Sequence, residues 1–477
     1  MAGIRQLVKD TAIYGMSTIL GKFLNWLLVP MYSYVLAGSD QYGIVANIYA
    51  WTALVTVIIT YGMETAMFRF INSHKDAAGG SNRVYSTTLC SLAVTSVTFA
   101  IVVFFFSNPI ASALKTGATG NMVAMMGIIV AMDAFDSIPF AYLRHTNKAF
   151  LFSVVKILNV LITIALNVLF LVQMHLGVEY VFVANLIASA TVTVLLVPTI
   201  LKAKFDFCWS LWREMFHFGF PMMLLGIVGI MNQTMDKILF PIVYPDDAVG
   251  MTELGIYSAC FKVAMIMMMF TNAFRYAYEP FIFQKYGSRD CKESYSDAMK
   301  WYLIASFFIF LVMVFYLDII QYLLQEQYRV GLKIVPLVLV SYIFQGVVYN
   351  LALWYKVLGK TWWGTVIAGS GFVVSFLLQV FLIPIFSYWA CVWASVGCYF
   401  VMMIVSFFLG QKYYPINYQL KRIGYYTLLT IAFFIVGVMT DLGGLWWNWA
   451  LRAFLLVTFV VLVVKFENIK LKKIKTH

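Results

Sequence analysis

Residues Met231 to Met269, MNQTMDKILFPIVYPDDAVGMTELGIYSACFKVAMIMMM, decide how the chain is read. Two apolar helices meet at a short acidic turn, and each carries charge where lipid excludes it: Asp236 and Lys237 on the first, Lys262 on the second. A charged side chain at membrane depth costs roughly 2.5–3.5 kcal/mol on insertion scales, so it is normally paired or turned to a watery cavity. At about 1.5 Å rise per residue, Asp236 lies on the order of 10 Å below the outer surface, with Lys262 at similar depth on the next helix. An Asp236–Lys262 ion pair and a direct role of Asp236 in gating or binding both fit this placement. Lys237 is expected to point away from Asp236, towards a cavity.

The rest of the chain has the same character. Of its 477 residues 62% are hydrophobic and only 11% charged, which excludes a soluble globular protein. Apolar runs of roughly 20 residues, long enough to cross about 30 Å of hydrocarbon, recur throughout. They are continuous rather than alternating, so helices fit and a barrel does not.

Fourteen transmembrane helices are expected. Six form a first set: Tyr14–Leu36, Tyr42–Phe68, Val84–Phe106, Asn121–Leu143, Phe150–Val172 and Val178–Leu201. Six more follow: Glu214–Val243, Leu254–Tyr278, Trp301–Leu324, Ile334–Tyr355, Thr361–Phe386 and Tyr388–Leu409. Gly424–Thr440 and Leu445–Val464 make a terminal pair. A cleavable signal peptide is not expected, because the first span is too long and carries Lys22, Asn25 and Pro30.

Alternate connecting segments divide the basic residues unequally. Twenty-four of the 33 Lys and Arg fall on one side of the membrane, four on the other and five within spans. The basic side is cytoplasmic by the positive-inside rule, which puts both termini in the cytoplasm. The net charge of +12 is thus topological and calls for no nucleic-acid partner. The tail from Lys465 to Lys475 is suited to anionic membrane lipids. The six cysteines show no CxxC spacing and read as free thiols, and five scattered histidines make no metal constellation.

An internal repeat organises the spans. Shifting the second half by 212 positions lays Tyr42-Gly43-Ile44-Val45 on Leu254-Gly255-Ile256-Tyr257, and Lys148 on Lys360. Elements six spans apart keep one membrane orientation, so the repeat is parallel, with its axis along the membrane normal. The expected fold is therefore all-α and polytopic. Six-helix lobes occupy residues 1–206 and 207–412, and residues 413–477 hold helices 13 and 14 with the basic tail.

Intramembrane charges break the repeat: Lys22 corresponds to Gly226, Asp133 to Gln345, Asp136 to Val348, Lys156 to Ala368, Asp236 to Tyr32 and Lys262 to Ala50. A charge needed by the fold alone would occur in both lobes, so function explains most of them better. Lys22 and Asn25 share a face of the first span and suit an anionic headgroup, or Lys22 pairs with Asp133. Asp133 and Asp136 share a face beside a kink expected at Pro139, where they either take up H⁺ or Na⁺ or serve as counter-ions to Lys22 and Lys156. Lys22, Asn25, Lys156, Lys237 and Lys262 are the candidate cavity residues, with Asp133, Asp136 and Asp236 the candidates for coupling or gating. Glu64, Arg69, Arg144, Arg275 and Asp318 lie near helix ends, where anchoring is expected.

Asp236-Lys237-Ile238-Leu239, then Gly255-Ile256-Tyr257-Ser258 and Lys262, resemble the polysaccharide transporter family. That family includes O-antigen and other lipid-linked oligosaccharide flippases of the multidrug/oligosaccharidyl-lipid/polysaccharide exporter (MOP) superfamily. Ala37-Gly38-Ser39-Asp40-Gln41-Tyr42-Gly43 and Asn147-Lys148-Ala149, followed by Asn159 and Asn167, carry the same resemblance. It implies a MATE-like, V-shaped transporter in the bacterial inner membrane that alternates access. Its substrate would be an undecaprenyl-diphosphate-linked glycan moved from the cytoplasmic to the periplasmic leaflet. It also implies a cavity cation at Lys22, a groove for the polyprenyl tail on the final two helices, and a polysaccharide polymerase and glycosyltransferases as partners. No cofactor is implied beyond a coupling ion, H⁺ or Na⁺. Lys22 and Lys237 stand where relatives often show Arg, so they act as point charges rather than bidentate diphosphate ligands.

A cation-coupled multidrug or metabolite exporter of the same superfamily is the competing reading, but it calls for an acidic cavity, and here lysines at least equal carboxylates. A membrane glycosyltransferase or polymerase needs a sizeable catalytic loop, and every outside loop is short.

Overall fold

The computed structural model describes residues 20–73, 80–204, 206–285, 290–441 and 443–467, and these are almost wholly helical. The helices are α1 Leu28–Val35, α2 Ser39–Thr60, α3 Met63–Ser73, α4 Gly80–Leu114, α5 Gly120–His145 and α6 Ala149–Asn167. They continue as α7 Glu179–Ile200, α8 Trp209–Val243, α9 Asp247–Val263, α10 Met265–Lys285 and α11 Cys291–Phe315. After short helical turns come α12 Val335–Leu351, α13 Trp362–Phe386, α14 Tyr388–Tyr413, α15 Leu420–Met439 and α16 Leu445–Phe466.

Among the described residues twelve helices are long and apolar enough to cross a membrane, or thirteen if α9 and α10, bent by 46°, make one span. The first expected span begins at Tyr14, outside the described residues, so fourteen is not reached among them. Rows of exposed apolar side chains, such as Phe104, Phe105 and Phe106, suit a lipid surround rather than water. The basic tail beyond residue 467 also lies outside the described residues.

Two expected spans are broken. Tyr61 and Gly62 both take left-handed backbone, with φ of 32° and 74°, and separate α2 from α3. Ala264 separates α9 from α10, two residues after Lys262. Pro139, by contrast, lies inside an unbroken α5.

The chain forms two compact units: residues 1–262, 324–331 and 365–398, and residues 263–323, 332–364 and 399–477. In the first, a core of Met63, Met67, Tyr85, Ile138 and Met215 joins α3, α4, α5 and α8. The second holds α10–α12, the end of α14, α15 and α16.

The repeat leaves a mark inside the first unit. A Cβ on Gly43 would lie 2.2 Å from the Met251 carbonyl oxygen, and one on Gly255 would lie 1.7 Å from that of Ser39. Residues 39 and 43 correspond to 251 and 255 under the 212-residue shift, so the two contacts are mates, as an isologous crossing on a two-fold axis requires. Backbones approach this closely only where both positions lack a side chain.

Candidate functional site

Asp236 sits on α8, 5% exposed. Its Oδ2 accepts from the Lys237 ammonium at 2.8 Å and from the Tyr257 hydroxyl at 2.6 Å. Lys237 therefore turns back to Asp236 instead of away from it. Adjacent helical residues diverge by about 100°, but a four-carbon stem can fold back when the alternative is an unpaired charge in an apolar interior. The ammonium also lies 4.5 Å from the centre of the Phe261 ring and 5.4 Å from that of Tyr257. The backbone carbonyl of Lys237 is held by Asn47 of α2 at 2.7 Å.

The Asp236–Lys262 pair is not formed. Asp236 Oδ2 is already occupied, and the Lys262 ammonium rests 5.3 Å from the centre of the Tyr42 ring, a cation–π contact in place of an ion pair. Trp26 Nε1 donates to the Lys262 carbonyl at 2.8 Å, tying the first helix to the end of α9. Asp236 Oδ1 is buried without a hydrogen-bond partner.

The second carboxylate site is built differently. Asn185, Ser189 and Thr193 recur every fourth residue on α7 and so share one face. Asn185 donates to the Tyr49 hydroxyl of α2, Ser189 to Asp133 Oδ1 at 2.9 Å, and Thr193 to Asp136 Oδ2 at 2.7 Å. Asp136 is 2% exposed, its Oδ1 has no hydrogen-bond partner, and Asp133 is exposed. Neither aspartate forms an ion pair among the described residues. Lys156 makes no contact ion pair with them: its ammonium sits 4.0 Å from the centre of the Phe140 ring, and its charge reaches both aspartates at longer range. Lys22 and Asn25 are both exposed on the helical segment 20–26. Sequence reasoning passed over Tyr49, Asn185, Ser189 and Thr193, although the i, i+4, i+8 spacing of three polar residues in an apolar helix was the available signal.

In the second unit, the Arg275 guanidinium of α10 lies 4.8 Å from the centre of the Tyr349 ring and 5.4 Å from that of Tyr276. One turn on, Glu279 pairs with Lys356 at 2.6 Å. Arg275 is thus a half-buried cation among aromatic rings, a role that its place near a helix end concealed. The anchoring expected of Glu64, Arg144 and Asp318 gives way to pairing: Glu64 with Arg144, Asp318 with Arg452. Helices α11, α12, α14 and α15 also line a cavity of about 830 Å³ with side chains such as Leu303, Phe307, Phe344, Phe407 and Phe434.

The family model described as polysaccharide biosynthesis protein matches residues 7–285, more than half of the chain. The chain belongs to that family. The MatE model matches residues 247–381. Among solved structures, lipid II flippase MurJ in an inward closed conformation aligns with a TM-score of 0.74 at 13% identity, over 97% of this chain and 100% of that one. An inward-facing multidrug resistance MATE family transporter aligns at 0.68 with 12% identity, over 84% of this chain and 97% of its own. The MATE multidrug transporter DinF-BH gives 0.63 and 17%, over 86% and 95%. Identities this low establish the fold alone: the chain has the MATE-like architecture that the family resemblance implied. A search of curated protein sequences gave no match.

Proposed function

We propose that this protein is a flippase that carries a polyprenyl-diphosphate-linked oligosaccharide from the cytoplasmic to the periplasmic leaflet by alternating access. The observation that carries the reading is a division of chemistry. One unit holds cations and carboxylates at membrane depth, while the other holds an apolar cavity of about 830 Å³ and an aromatic-flanked arginine, Arg275. A lipid-linked glycan needs both, since its diphosphate and sugars require a polar, cationic path and its tail a hydrocarbon one.

In this reading Lys22, Asn25, Lys156, Lys237 and Lys262 attend the headgroup, the lysines as point charges. The cavity beside α15 takes part of the prenyl chain. Lobes 1–206 and 207–412 rock about the repeat axis, with residues 413–477 as the accessory pair, in the bacterial inner membrane with both termini cytoplasmic. Asp133 and Asp136 bind the coupling ion, H⁺ or Na⁺, because a carboxylate with no fixed counter-ion is a place for a mobile one. A cation-coupled exporter is the second reading, favoured by those same uncompensated carboxylates and by the MatE match.

The test is to purify the full chain from its native membrane and identify co-purifying lipids by mass spectrometry, with Lys22→Ala as control. A polyprenyl-diphosphate glycan recovered with the parent and lost with the variant is the expected result. Bulk phospholipid alone in both samples would overturn the reading in favour of the exporter.

A further inference from the structure

A second cavity, of about 770 Å³, opens in the first unit where α3 meets the first turns of α8. Glycine brings these helices together: a Cβ on Gly62 would lie 2.3 Å from the Gly219 carbonyl oxygen, and one on Gly219 2.8 Å from that of Tyr61. The approach lays Arg69 and Phe70 of α3 beside Arg213, Glu214, His217 and Phe218 of α8. The Arg69 guanidinium stacks 4.2 Å from the centre of the Phe218 ring. Arg213 and His217, one turn apart, line the same cavity, and both arginines are exposed.

No ion pair among the described residues involves Arg69, Arg213 or Glu214, so two arginines and one acid leave the cavity cationic. An arginine at a membrane boundary ordinarily reaches out into water. Here Arg69 is held by an aromatic face, and Arg69 and Arg213 line one concave wall that also carries Phe70 and Phe218. Planar guanidinium groups match phosphate oxygens two at a time, which the lysines of the membrane interior do not.

We propose that this cavity is a vestibule for the diphosphate of a lipid headgroup, which Arg69 and Arg213 hold before the headgroup passes into the membrane interior. The proposal rests on the flippase reading and deepens it. Arg69 and Arg213 belong to the basic connecting sequences that the positive-inside rule assigns to the cytoplasmic side, from which a cytoplasmically made lipid-linked substrate would come. The aromatic side chains pack against the first prenyl units, and the guanidinium pair selects a diphosphate over a single phosphodiester.

The test uses the full chain in detergent, with farnesyl diphosphate as the probe in microscale thermophoresis. Dihexanoyl phosphatidylglycerol and inorganic diphosphate serve as competitors. The expected result is that Arg69→Ala/Arg213→Ala weakens farnesyl diphosphate binding about tenfold and flattens its salt dependence. Arg69→Lys/Arg213→Lys, which keeps charge without the fork, should fall between it and the parent. Unchanged affinity in the alanine double variant, with the parent binding, would overturn the vestibule and leave the flippase reading standing. Failure of the parent to bind the probe at all would overturn both. Equal competition by phosphatidylglycerol would overturn diphosphate selection, and equal competition by inorganic diphosphate would overturn the role given to the prenyl chain.

Discussion

Asp236 on α8 and Asp136 on α5 are both buried in the first unit, yet they are partnered differently. Asp236 has a cation fixed beside it at 2.8 Å; Asp136 has the Thr193 hydroxyl at 2.7 Å, with the Lys156 charge acting on it from beyond ion-pair distance. The first site is a hydrogen-bonded ion pair. The second has a hydrogen bond and no ion pair, the arrangement that the proposed coupling role calls for. The difference teaches that a carboxylate's place in a membrane helix does not disclose its role; its partner does.

The largest expected effect tests the fixed pair. Asp236→Asn leaves Lys237, only 13% exposed, with no counter-charge, and removing one partner of a buried pair costs about 3–5 kcal/mol. Thermal unfolding of the full chain in detergent should show the loss, and Asp236→Asn/Lys237→Met should recover most of it. If the single and double variants melt alike, the pair is not what neutralises α8, and the contrast with Asp136 breaks.

A smaller effect on stability and a larger one on transport are expected on α5. Asp136→Asn keeps a polar group opposite Thr193 and should change the unfolding free energy by no more than about 1 kcal/mol, while abolishing dependence of transport on an ion gradient. Thr193→Val removes a donor from the buried Asp136 carboxylate and should cost about 1–3 kcal/mol. Gradient-driven uptake in proteoliposomes checks the first and thermal unfolding the second. Intact coupling in Asp136→Asn would erase the distinction between the sites.

Much of this architecture was legible in the sequence, and for identifiable reasons. Hydrocarbon tolerates only long apolar helices, so the spans could be read from runs of residues. The repeat was legible at Gly43 and Gly255 because helices that touch backbone to backbone need glycine on both sides. Side-chain direction was not. Helical periodicity sends Lys237 away from Asp236, and only burial, which a single chain does not display, turns it back. The α7 ladder escaped because Asn185, Ser189 and Thr193 acquire meaning only when Tyr49, Asp133 and Asp136 are known to face them. Arg275 was set aside as an anchor because nearness to a helix end says nothing about the rings of Tyr276 and Tyr349.

A third carboxylate calibrates the comparison at the edge of the membrane. Glu467 ends α16, where Oε2 accepts from Lys300 at 2.7 Å and Arg422 at 3.1 Å and Oε1 accepts from Tyr426 at 3.0 Å. Burial pushes its carboxyl up, but hydrogen bonds from Lys300 and Tyr426 and the charges of Lys300 and Arg422 outweigh this and leave it below the usual glutamate range. A depressed carboxyl contributes stability that is fully present above its unfolded value and is lost as pH falls through the folded one. Thermal unfolding should therefore separate the parent from Glu467→Gln at neutral pH and bring them together as the medium becomes more acid than an ordinary glutamate. The separation should be about 1 kcal/mol, less than at Asp236, because Lys300 keeps Asp297 at 3.3 Å when Glu467 is neutralised and the Arg422 contact, 56% exposed, is screened by water and salt. If the gap instead equals that of Asp236→Asn, depth in the membrane is not what makes the α8 pair costly to break, and the contrast between fixed and mobile counter-ions would have to rest on transport alone.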